Sequence, residues 1–281
     1  MKPVLKTLAS VSAALALGLS AFSASAAVTT QLGFLLDESG SMSAADYELM
    51  QDGLSAALAA LPTDGSVEIT VVSFASGVNT LVPPTVLTAG NLASLQADID
   101  ADPFSGGNTN TALGISRLAG LMNGSSNNVA GVNSFINIAS DGEPTAGSYC
   151  TISPILCAIF GDNVSDQQAA VNAAAAAAAG GIDTISFEAI SSSSSARNAM
   201  QDIAEAGSPG KPAPILATNS TNIPYPGTSS FVVPVTTFQN YAAVIEAKVI
   251  ASVTPVPLPG TLALLGIGFL GLGAYAGSRR K

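Results

Sequence analysis

Short apolar runs of strand length alternate along the chain with stretches whose apolar positions recur three and four residues apart. Residues 31–36 (Gln-Leu-Gly-Phe-Leu-Leu) form a mostly apolar run, suited to a strand covered on both faces, and the run stops at Asp37. A helix is predicted next, with Ser43 and Asp46 as a variant capping box and Leu49, Met50, Leu54, Leu58 and Leu61 as its apolar stripe. Residues 67–74 read as a second strand, and 78–87 as its neighbour at an edge, because Pro83 and Pro84 cannot donate inside a sheet. Helical patterns cover 91–100 and 111–122, and 135–139 is a further strand ending near Asp141. The alanine-rich stretch 167–179 reads as a helix with small side chains closed by Gly180-Gly181. Strands at 182–190 and 230–235 and helices at 195–205 and 238–250 complete the series. Strand–helix alternation of this kind predicts an α/β fold, doubly wound, with a mainly parallel sheet flanked by helices.

Both ends break this pattern. Residues 1–26 place Lys2 and Lys6 before an apolar run and end in Ala24-Ser25-Ala26, the layout of a secretory signal peptide. Residues 253–259 form a proline-rich linker. Residues 260–276 carry no charge and are followed by Arg279-Arg280-Lys281, so 260–281 reads as a transmembrane helix with a basic tail that stays cytoplasmic. The folded domain is then 27–252.

Charge narrows what this domain can do. Five of the nine basic residues belong to the terminal signals, so Arg117, Arg197, Lys211 and Lys248 face all 19 acidic residues, a formal charge of 4 − 19 = −15. Nucleic acid is excluded as a partner, since its binding depends on Lys and Arg neutralising phosphates. The chain has no histidine, which removes Ser-His-Asp and Cys-His machinery and every His-ligated metal site. Cys150 and Cys157 lie close together in an exported chain, where a disulfide is the default expectation.

The candidate chemistry sits where strands end. In Asp37-Glu38-Ser39-Gly40-Ser41 one carboxylate and two hydroxyls at alternate positions can turn toward one point, with Gly40 supplying backbone freedom. Asp141 ends another strand within Ser140-Asp141-Gly142-Glu143, and Gly106-Gly107-Asn108-Thr109-Asn110-Thr111 opens a helix between the two. Ligands of open α/β sheets bind beyond the carboxyl ends of the strands. These are hard oxygen donors, suited to Mg²⁺, Mn²⁺ or Ca²⁺ and poorly to zinc.

Asp37-x-Ser39-x-Ser41, the threonine of Gly107-Asn108-Thr109-Asn110-Thr111 and the aspartate of Ser140-Asp141-Gly142-Glu143 resemble, in order and spacing, the metal-ion-dependent adhesion site of von Willebrand factor A domains. The resemblance covers about residues 28–252. It implies that Ser39, Ser41 and Thr109 ligate a divalent cation, Mg²⁺ first, and that Asp37 and Asp141 act partly through water. Thr111 competes with Thr109 and is ranked second by position. The resemblance also implies a non-enzymatic binding or adhesion module whose ion accepts an acidic side chain from a protein partner. Two other functions compete with it: a matrix component stabilised by the ion, and a metal-assisted hydrolase with only Glu38 or Glu143 as a nearby base.

Val256-Pro257-Leu258-Pro259-Gly260, the glycine-rich apolar run and the basic end resemble a PEP-CTERM sorting signal, with Leu258 where that signal has glutamate. This resemblance implies an exosortase-type sorting protease, an inner-membrane intermediate and release to the surface or outside of a Gram-negative cell. Residues 142–164 leave the strand ending at Asp141, so they are expected to rise beside the metal as a rim or a surface insertion.

Overall fold

The computed structural model describes residues 26–147, 149–150 and 163–253. β1 (Thr30–Asp37) is buried along its whole length, as its apolar run requires. It lies in the middle of a six-stranded sheet with β2 (Asp64–Phe74), β3 (Val78–Thr88), β4 (Asn133–Ser140), β7 (Thr184–Ile190) and β8 (Val232–Val235), in the order β3-β2-β1-β4-β7-β8. Every neighbouring pair is parallel except β2 with β3, whose hairpin places the two prolines at the edge. β5 (Tyr149–Cys150) and β6 (Asn163–Val164) form a small antiparallel pair of their own.

Among the described residues six helices cover the two faces: α1 (Ala44–Leu58), α2 (Leu92–Asp100), α3 (Thr111–Asn123), α4 (Asp166–Ala179), α5 (Ser194–Ala206) and α6 (Phe238–Val253). Alternation along β1 divides the core. Leu32, Phe34 and Leu36 pack with Tyr47, Met50 and Leu54 of α1 and Tyr241 and Ile245 of α6. Leu35 packs on the other face with Ile115 and Leu118 of α3 and with α4 and α5. Ala170, Ala174 and Ala177 are the buried positions of α4 on that face, so the alanine-rich stretch is a packed helix.

The predicted architecture holds, with shifts at the element ends. Leu61 falls beyond α1 yet stays in the core, and the strand expected from 182 begins at Thr184 because Ile182 and Asp183 turn into it. Residue 253 belongs to α6 and not to the linker. Among the described residues no helix is long and apolar enough to cross a membrane. The predicted transmembrane segment, residues 1–25 of the predicted signal peptide and the Cys157 half of the predicted disulfide lie outside the described residues.

Candidate metal centre

The parallel strands deliver their carboxyl ends to one edge of the sheet, and β1 and β4 are neighbours there. Leu36 pairs with Ala139, which brings Asp37 level with Ser140. The Ser140 hydroxyl donates to Asp37 Oδ2 at 2.5 Å, and the Ser39 amide donates to Asp37 Oδ1 at 2.9 Å. The chain then curls so that Ser39 Oγ and Ser41 Oγ lie 3.1 Å apart, and Ser41 Oγ donates to Asp141 Oδ1 at 2.7 Å. Asp37, Ser39, Ser41 and Asp141 are therefore one connected cluster of oxygens. Directly after it α1 starts, and its capping box is as expected: Ser43 accepts from the Asp46 amide while Asp46 accepts from the Ser43 amide.

Thr109 enters from a loop stitched to the same edge. Gly40 N–H donates to Gly107 O at 2.9 Å, Gly106 N–H donates to Glu38 O at 3.0 Å, and Asn110 N–H donates to Ala75 O at 3.0 Å. The left-handed conformation falls on Gly106 and Gly107 (φ 70° and 107°), whereas Gly40 is needed for close approach, since a Cβ there would stand 3.3 Å from Gly107 O. Thr109 is buried, and its amide donates to Thr145 Oγ1 at 2.8 Å while its carbonyl accepts from the Thr145 amide at 3.0 Å. It makes no hydrogen bond to the other four candidates. Thr111, the rival, is the first residue of α3 and is equally buried, behind the Asn110 cap.

Ser140 and Thr145, which the sequence did not single out, support the cluster, and so does Glu38, which the sequence offered only as a base for the hydrolase reading. Glu38 is buried and holds the loop, accepting from the Ser105 amide at 3.0 Å and from the Ser73 hydroxyl at 3.3 Å. Ser140 stood inside a quoted motif, but the other bonds join residues more than thirty positions apart, so no local pattern could show them. The expected rim is present at its start, where Gly142 to Gly147 pass beside Asp141 and Thr145 clasps Thr109.

Electrostatics suit a cation. Asp37 is fully buried, and burial pushes its carboxyl up to about 6, the bonds from Ser140 and Ser39 opposing and nearby Asp141 adding to the rise. Burial also raises Asp141 and Glu38. Among the described residues no basic side chain faces Asp37 or Asp141, so a fully buried and a part-buried carboxylate stand close together with no positive partner there. Among the described residues no three His, Cys, Asp or Glu side chains gather as a metal site would need. The hydroxyls must therefore complete any donor set, which fits a hard divalent ion.

Residues 31–223 match the von Willebrand factor type A domain, and residues 255–281 match the PEP-CTERM protein-sorting motif. No curated protein sequence matches the chain. Among solved structures the fold is similar to proximal thread matrix protein 1 of the mussel byssus (17% identity, TM-score 0.55, covering 80% of this chain and 48% of that one). A further structure of that mussel protein has a zinc-occupied MIDAS motif, the metal-ion-dependent adhesion site (14% identity, TM-score 0.52, 79% and 46% covered). The vWF domain of the type V pili tip protein Mfa5 from Porphyromonas gingivalis is similar over 83% of this chain and 99% of its own (14% identity, TM-score 0.53). The chain spans about half the length of the mussel protein.

Proposed function

From the premise that the chain belongs to the von Willebrand factor type A domain family and ends in a PEP-CTERM sorting motif, we propose that it is an exported, metal-dependent binding module. It is not an enzyme in this reading. Asp37, Ser39, Ser41, Asp141 and Thr109 hold a divalent cation, and the ion supplies a coordination position for an acidic group of a protein partner. The observation that carries this is the continuous Ser140–Asp37–Ser39–Ser41–Asp141 cluster, which no basic side chain among the described residues neutralises.

The protein's own contribution is orientation. Ser140 fixes one Asp37 oxygen, and the Glu38 strap and the Thr145 clasp hold the Thr109 loop against β1. Mg²⁺ suits this all-oxygen set best, with Mn²⁺ and Ca²⁺ as alternatives. Zinc, ranked poorly from the donor types alone, occupies the corresponding motif of the mussel protein and belongs among the ions to test. Glu38 accepts from the Ser73 hydroxyl of β2 with one carboxylate oxygen and from the Ser105 amide of the loop with the other, which leaves it ill-placed as a general base. The sorting motif implies an exosortase-type protease as a processing partner, which sorts the domain, once the signal peptide of residues 1–26 has exported it, to the cell surface or beyond.

Calorimetric titration with Mg²⁺ and Mn²⁺ tests the site. Asp37→Ala and Asp141→Ala are each expected to abolish saturable binding while leaving circular dichroism unchanged, because neither residue belongs to the apolar core. Unchanged affinity in both variants overturns the assignment.

A further inference from the structure

Beyond the carboxyl ends of β7 and β8 lies a groove of about 530 Å³ whose lining includes Ser191, Ser192, Arg197, Leu216, Thr218 and Thr236. It opens on the same edge of the sheet as the metal cluster. Ser140 pairs with Ala189, so Ile190 stands beside Asp141 and the groove begins one residue later. Two strand spacings of about 4.8 Å separate the β1–β4 junction from the β7–β8 junction, which puts the two places roughly 10 Å apart.

Arg197 is the unusual member. The domain has four basic residues: the two lysines are engaged with acidic partners, each arginine spends one nitrogen on a neutral oxygen, and of the two arginines only Arg197 lines the groove. Lys248 pairs with Glu188, Lys211 donates to Asp183 O and senses the Asp183 charge, and Arg117 lies against β3 through Thr80. Arg197 is half-buried, donates one nitrogen to the Ser192 carbonyl, and has no carboxylate within ion-pair distance among the described residues. A guanidinium offers five donors in a fixed fork matched to carboxylates, and most of that fork is unspent in a domain of formal charge −15.

The backbone singles out the same place. Among the described residues only Ser191 and Asn219 adopt positive φ without being glycine, at 48° and 53°. Ser191 lines the groove, and Asn219 follows the lining residue Thr218 and is tied to Thr236 by side-chain and backbone bonds. Such conformations cost energy and persist where the surroundings hold them, commonly at ligand sites. Here they hold the groove walls that face Arg197.

We infer that this groove is a second acidic-group subsite, in which Arg197 takes one carboxylate of the same partner whose other carboxylate meets the metal centre. The inference rests on the metal-dependent reading for its first anchor, but the Arg197 subsite can be measured without it. Two carboxylates roughly 10 Å apart correspond to three residue steps along a polyproline-II segment, which rises about 3.1 Å per residue and returns every third side chain to the same face.

The test uses the purified, folded protein and two peptides, acetyl-Glu-Ser-Ser-Glu-amide and acetyl-Glu-Ser-Ser-Gln-amide. Binding is titrated at physiological salt, where long-range repulsion from the acidic surface is largely screened. In Mg²⁺ the two-glutamate peptide is expected to bind about fivefold tighter than the one-glutamate peptide, the size of a partly exposed charge pair. Arg197→Gln should erase that preference and leave the Mg²⁺ requirement intact. Ile215 also lines the groove, and Ile215→Glu, which adds a carboxylate there and leaves the arginine in place, should erase it too. No preference in the wild type, or a preference kept by either variant, overturns the subsite. If EDTA changes nothing in the wild type while both variants still lose the preference, the metal reading fails and the Arg197 subsite stands.

Discussion

The most deeply buried carboxylate of the site gives it a marked response to pH. Asp37 titrates near 6 in the folded protein against an ordinary value of 3.8. Below the ordinary value it is protonated whether folded or not, and it contributes nothing. Between 3.8 and about 6 only the unfolded chain ionises, so stability falls as pH rises through that window and stays lowered above it. Two units amount to about 3 kcal/mol at neutral pH. In EDTA, Asp37→Asn is expected to melt above wild type at pH 7, with the gap closing as pH falls toward 4. A gap that does not change with pH would contradict the burial. With Mg²⁺ the order should reverse, because only the ionised aspartate holds the ion, and metal binding should weaken on acidification through pH 6. Much of this chemistry was legible at residue scale. Asp37, Ser39 and Ser41 stand at fixed short spacing after a strand, and Asp141 ends a second one. What the sequence hid is what holds them: Thr145 meets Thr109 across 36 positions and Glu38 meets Ser105 across 67. Gly40 was read for freedom but serves for closeness, since nothing local shows that the Gly107 carbonyl will lie against it.

The elements were easier to read than their mutual anchors. Strand and helix order followed from apolar period, because a sheet covered on both faces leaves few other ways to bury those runs. β8 and α6 were predicted from the same pattern and lie beyond the residues that match the family domain. The pattern could not show that α6 is fixed to β7 by a buried ion pair. Lys248 Nζ meets Glu188 Oε1 at 2.5 Å with both side chains fully buried, and the ammonium also lies 5.2 Å from the Phe231 ring centroid. Apart from each other, neither charge has a side-chain hydrogen-bond partner among the described residues. Burial raises the Glu188 carboxyl and lowers the Lys248 ammonium, each opposed by the other's charge. Removing one member strands the other, so Lys248→Met is expected to cost about 3–5 kcal/mol. Glu188→Leu/Lys248→Met together should come back to within about 2 kcal/mol of wild type, because the desolvation of both charges disappears with them. Chemical denaturation of the three proteins checks this, and a double variant as unstable as the single one would mean the pair is more than a paired burial.

At the scale of the whole molecule the described chain enters and leaves at the end opposite the metal cluster. Ala26 bonds to Asp64 at the start of β2, and β1 runs from there to Asp37. α6 begins just past the carboxyl end of β8 and runs back along the sheet to Val253, two residues before the sorting motif. We expect protein recovered outside the cell to end near Pro259. Intact-mass spectrometry that finds Arg279-Arg280-Lys281 on the released form would argue for a permanent anchor instead. In the proposed reading, a tail still anchored in the membrane and a partner held at the metal cluster would pull on opposite ends. The load enters through the tips of β1 and β4 and leaves through the foot of α6. Between the strands the hydrogen bonds lie roughly across the pull and share it in shear. α6 has no such ladder, and its seat is side-chain packing against α1 and the sheet plus one buried ion pair. Under tension the first slip should therefore be that helix sliding along its groove, and the Glu188–Lys248 pair sets how hard the molecule can be pulled before it yields.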